Sequence, residues 1–147
     1  MILIIIQILL LIGIDVEPKR IDCNKCDIDK IKIVNENLEQ LDYEMVMEFL
    51  CTLDVICRTN TEYSEWSNEM IFLLLENSPG TFFQALQDEG LDVLNEVLDK
   101  IKSPVMEFNY QEIHSKIENL DQQGSVKNKI LKALAIAAGK AGFKIKK

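Results

Sequence analysis

Four cysteines carry most of the reactive chemistry in this sequence: Cys23 and Cys26 in DCNKCD, and Cys51 and Cys57 in LCTLDVIC. A CxxC pair serves as half of a zinc site, as a redox couple or as one side of a disulfide framework. Zinc needs ligands that converge on one ion with Zn–S near about 2.3 Å. The apolar spacing through Cys57 is helical, and helical residues six apart differ by about 240° in direction and about 9 Å along the axis. Cys51 and Cys57 then cannot close on one ion, and no metal site is expected. A thioredoxin-like couple sits at a helix N-terminus after a strand, where the dipole lowers the thiol pKa. Here EPKRID precedes the pair, DIDK follows it, and Asp22 and Asp27 oppose thiolate formation.

Disulfides fit better. Three extended residues from Cys23 to Cys26 span about 10 Å, close to the rise expected between Cys51 and Cys57. If residues 27 to 41 turn the chain back, antiparallel placement pairs Cys23 with Cys57 and Cys26 with Cys51, which is the expected connectivity. Four free thiols in a reducing compartment would be the bland alternative.

Other chemistry is sparse. The single histidine, His114, is followed by Ser115; neighbouring helical residues point about 100° apart and cannot share a proton. No glycine-rich phosphate loop, HExxH or EF-hand spacing occurs. No catalytic residue and no cofactor is expected, so an enzyme is not expected either.

The first fourteen residues, MILIIIQILLLIGI, carry no charge. As a helix they cover about 21 Å, short of a hydrocarbon core of about 30 Å. They match the apolar region of an export signal, although no Lys or Arg precedes them. A periplasmic or secreted location is expected, one that permits disulfides.

Charge is divided along the 147 residues. Residues 125 to 147 hold seven lysines and no acid, whereas residues 15 to 124 hold nine basic and 24 acidic residues, a net of −15. Phosphate neutralisation needs a basic surface, so nucleic acid is not an expected partner. A basic protein partner is, drawn by long-range attraction.

The elements that must position these groups read as helices. Six Gly and three Pro leave few tight turns for a β fold. Val46, Phe49, Leu50, Leu53, Ile56 and Cys57 recur at three and four after Asp42, a suitable N-cap. Ser64 is the expected cap of EWSNEMIFLLLEN, which is apolar nearly all round and therefore central. Ser78, Pro79 and Gly90 bracket a short helix, and Leu91, Leu94, Val97, Leu98 and Ile101 stripe the next. Asn109 caps YQEIHSKIENL, and Gly124-Ser125 opens the last helix. The stretch 28–41 fits neither a helical nor a strand period, and leaves a short helix and an extended piece both open.

The expected fold is all-α, a bundle or short stack of αα-hairpins with about six helices. It forms one helical domain over 15–147, with an irregular arm at 15–41 and a basic C-terminal helix at 125–147, after an N-terminal export signal at 1–14. The expected function is an acidic protein-binding module, of the inhibitor or immunity type, for a basic partner, with Tyr63 and Trp66 as candidate anchors. The alternative is a membrane-surface protein acting through the last helix, with Lys140, Lys144, Lys146 and Lys147 as membrane contacts. In the bundle reading, the stripe Ile130, Leu134, Ala137, Ala138 and Ala141 closes the core instead, Gly139 and Gly142 fray the helix end, and KIKK is a loose tail.

Overall fold

A computed structural model describes residues 23–146. The apolar segment 1–14, the arm before Cys23 and Lys147 lie outside the described residues. The chain is all-α: the described residues form seven α-helices and one 3-10 helix, without a strand. In chain order these are α1 (Ile28–Glu36), α2 (Tyr43–Leu50), the 3-10 helix Val55–Thr59, α3 (Thr61–Asn77), α4 (Pro79–Glu89), α5 (Leu91–Lys102), α6 (Tyr110–Glu118) and α7 (Ser125–Lys140).

Of the open stretch 28–41, residues 28–36 are helical and 37–41 form a turn and irregular backbone. Asp27 caps α1 by accepting from Asp29 N at 3.0 Å. Ile31 and Val34, three apart, are buried against the core while Ile33 faces outward, and it was Ile33 that blurred the period.

α3 is the central helix. It buries Tyr63, Met70, Ile71, Phe72, Leu74 and Leu75 and contacts α1, α4, α5, α6 and the 3-10 helix. Its cap is Asn60, which accepts from Tyr63 N at 3.1 Å, not Ser64; the helix begins four residues earlier than expected. Phe108 stacks on Phe72 with centroids 4.0 Å apart, and Tyr110 meets the same ring edge-on. Asn109 caps α6 as expected, accepting from Glu112 N at 3.2 Å. Ser78 stands at the start of α4 without a side-chain cap bond. Gly90 alone joins α4 to α5 with φ 94, in the left-handed region that glycine enters without a Cβ clash.

α7 lies on α5 and α6. Ile130, Leu134, Ala137 and Ala138 are fully buried; Ala141, the last member of the expected stripe, is exposed. Small alanine side chains let the helix backbones approach closely. The helix ends with Phe143 N donating to Ala138 O at 2.8 Å around Gly142 at φ 80, the ring that satisfies last-turn carbonyls. The tail beyond is held rather than loose. Gln111 accepts from Lys146 N at 2.7 Å and donates to Lys146 O at 3.1 Å, and Ile145 packs on the core.

The helix expected to run from Asp42 through Cys57 is broken. α2 stops at Leu50, and the backbone tightens as Thr52 N donates to Phe49 O and Leu53 N to Leu50 O. The Thr52 hydroxyl, fully buried, bonds Phe49 O at 2.7 Å and the Tyr63 hydroxyl at 2.6 Å. Asp54 then caps the 3-10 helix through Ile56 N. Val55 and Ile56 are exposed as a consequence, so Ile56 leaves the core stripe to which its spacing assigned it.

Candidate functional site

The break decides the cysteine chemistry. Cys26 is bonded to Cys57, with Cα atoms 5.4 Å apart, while Cys23 and Cys51 keep their thiols. This corrects the expected pairing of Cys23 with Cys57 and Cys26 with Cys51. Both premises of that pairing fail. Cys51 and Cys57 do not share one helix, and CNKC is a turn, with Cys26 at φ 60. Cys26 N donates to Thr52 O at 3.0 Å, and Cys23 Sγ to Cys51 O at 2.8 Å. The CNKC turn therefore runs along 51–57 in parallel, Cys23 beside Cys51 and Cys26 beside Cys57. The bridge ties the arm to the break between α2 and α3, a structural role.

The two candidate anchors part company. Tyr63 has no exposed surface, and its hydroxyl is bonded to Thr52; burial also pushes the phenol well above its ordinary pKa. It is a core residue and is withdrawn as an anchor. Trp66 is 41% exposed. It stands over a groove of about 330 Å³ between α1 and α3. The groove follows from helical spacing: α1 presents Ile31, Lys32, Asn35 and Glu36, and α3 presents Trp66, Glu69, Met70 and Leu73. Ile31 and Met70 are buried beneath it.

Charge at the rim is mostly negative. Lys32 bonds Asp29 at 3.0 Å. That hydrogen bond, the charge of Asp29 and the more distant charges of Glu62 and Glu36 hold its ammonium above the usual lysine pKa. Glu36 and Glu69 thus line the apolar floor with two carboxylates, and Lys32, the one lysine of the lining, is already paired with Asp29. An arrangement of this kind accepts an apolar side chain flanked by cations; it offers no nucleophile with an adjacent base.

A larger opening, about 500 Å³, lies where α3 meets α5 and holds charges of both signs. These charges answer one another. Arg58 donates to Glu96 at 2.8 Å and to Asp99 at 3.0 Å, pinning the 3-10 helix to α5. The hydrogen bond from Lys102, with that from Arg58, keeps the Asp99 carboxyl below its usual pKa.

The lysines of the last helix have bonds that spacing alone could not show. Lys127, nearly buried, donates to Glu118 O at 2.9 Å and Leu120 O at 2.7 Å. Lys140 donates to Lys102 O at 2.7 Å and Ser103 Oγ at 3.3 Å. Each places an ammonium at the C-terminal carbonyls of a neighbouring helix, α6 and α5, where the dipole favours it. Lys140, a candidate membrane contact, is thus engaged within the fold, and the apolar stripe proposed to meet lipid is buried except for Ala141. Lys144 and Lys146 are exposed. No helix among the described residues is long and apolar enough to cross a membrane.

His114 is mostly buried, with Nδ1 3.8 Å from Glu118 Oε2, while Ser115 Oγ donates to Gln111 O at 2.9 Å. The two neighbours have separate partners. Among the described residues no cluster of His, Cys, Asp and Glu is arranged to hold a metal ion.

The chain matches no known protein family, no curated protein and no solved structure.

Proposed function

We propose that this protein is an exported binding module that docks a basic protein partner, in the manner of an inhibitor or immunity-type protein, over the groove between α1 and α3. The observation that carries this reading is Trp66, the chain's single tryptophan, standing exposed over an apolar floor with Glu36 and Glu69 in the same groove lining. Tryptophan anchors are enriched among residues that dominate binding energy, and acidic groups beside them steer a cationic partner and fix its register. Export is supported by the uncharged apolar N-terminus and by the Cys26–Cys57 bridge, since disulfides persist in oxidising compartments.

The test is affinity capture from the cells that produce the protein, with three baits compared side by side. Wild type should retain a basic protein. Trp66→Ala and the double variant Glu36→Lys/Glu69→Lys should each weaken its retention by about tenfold or more, equivalent to about 1.4 kcal/mol. Lys129→Gln, remote from the groove, should leave retention unchanged. A captured partner that is acidic, or one held equally by all the baits, would refute the groove as the docking face.

A further inference from the structure

The geometry points to a second disulfide, Cys23–Cys51, closed by thiol–disulfide exchange beside the existing bridge. Three residues of the CNKC turn grip the segment that follows α2. Cys23 Sγ donates to Cys51 O at 2.8 Å, Lys25 Nζ donates to the same oxygen at 2.6 Å and to Leu53 O at 3.4 Å, and Cys26 N donates to Thr52 O at 3.0 Å. The Cys51 thiol lies at the same place, donating to Glu48 O at 3.3 Å. With Cys26 already tied to Cys57, the folded backbone holds the two remaining cysteines side by side, and closing the bond needs no large loop to be ordered.

Exposure sets the order of steps. Cys23 is exposed and Cys51 buried, so an oxidant reaches Cys23 first. The Cys23 thiolate attacks one sulfur of a small disulfide such as oxidised glutathione and expels one glutathione thiolate. Burial, and after it the interaction with Cys23, push the Cys51 thiol up, so Cys51 does not start the exchange and attacks only once Cys23 carries the mixed disulfide. Cys51 gives its proton to solvent, its sulfur attacks Cys23 Sγ, and the second glutathione thiolate leaves. Two protein thiols lose two protons and two electrons, and one small disulfide becomes two thiols. The product fastens the N-terminal arm to the C-terminal end of α2 at a second point.

The experiment uses the full chain treated with oxidised glutathione, then denatured and alkylated without reduction. Cleavage after Lys25, after Lys30 and before Asp54 separates all four cysteines. The expected map links the Cys23 fragment to the Cys51 fragment, preserves the Cys26–Cys57 link, and shows an intact mass lower by two hydrogens. In Cys23→Ser, Cys51 should remain open to alkylation after the same treatment. Three results would overturn the proposal: glutathione retained on Cys23, Cys51 of the wild type alkylated after oxidation, or Cys23 linked to Cys57.

Discussion

Leu134→Ala measures whether the basic C-terminal helix belongs to the core. The side chain is fully buried, on the face of α7 that meets α5 and α6. Truncation removes three carbons, a transfer loss of about 2.4 kcal/mol at roughly 0.8 kcal/mol for each. The space left behind adds to this loss. Ala137 and Ala138, Leu134's neighbours on α7, are too short to fill it, which places the total near 3–4 kcal/mol within the range of about 2–5 for such substitutions. Leu134→Asp would cost more by leaving an unpaired charge inside, and is the less informative variant because it is expected to unfold the domain. The assay is urea unfolding of the wild type and of Leu134→Ala, with Lys144→Gln/Lys146→Gln as an exposed control expected within about 0.5 kcal/mol of wild type. The midpoint should fall for Leu134→Ala without a change in slope. A loss below about 1 kcal/mol, which no core truncation of this kind gives, would refute the packing argument. Binding to anionic vesicles that the lysine variant abolishes and Leu134→Ala leaves intact would favour the membrane-surface reading instead.

Asn68→Ala should destabilise by about 2–3 kcal/mol in the same urea assay. The side chain donates to Lys100 O at 2.9 Å and Ser103 O at 3.1 Å and accepts from Val105 N at 3.1 Å, each such bond being worth about 1 kcal/mol net. Lys100 O keeps a second bond from Ser103 N, which argues against a larger loss; a change under about 0.5 kcal/mol would show that Asn68 does not clamp the end of α5. All three tyrosines should titrate late. The bond to Asp88 at 2.6 Å raises Tyr43 to about 12, and burial raises Tyr63 and Tyr110. The stabilisation linked to Tyr43 is therefore complete below its unfolded pKa of about 10 and is lost as pH climbs through about 12. Tyrosinate absorbance should show no step near about pH 10 in the folded protein, and Tyr43→Phe should remove the step near 12; a full step at the ordinary value would refute the assignment.

Much of the architecture was legible from local pattern, because local pattern is what caps and apolar stripes depend on. Asp42 and Asn109 cap the helices they precede, Pro79 and Gly90 bracket α4, and of the stripe on α5 Leu94, Val97, Leu98 and Ile101 are buried as their spacing requires while Leu91, at the helix start, is exposed. The break after Leu50 was not legible. Thr52 satisfies its hydroxyl on Tyr63, eleven residues on and in another helix, and no window on the sequence joins the two. The parallel cysteine pairing follows from that break and from the turn at Cys26, so it too belonged to the tertiary structure. Tyr63 and Trp66 are aromatic residues three apart on one helix, alike in sequence terms. Only the placement of α1, the 3-10 helix and the Thr52 link around α3 sends one into the core and leaves the other over a groove. The lysines make the same point. Composition shows a basic tail on an acidic body, an electrostatic fact that needs no fold. That Lys127 and Lys140 reach the carbonyl ends of α6 and α5 depends on where those helices stop, and tertiary packing alone sets that distance.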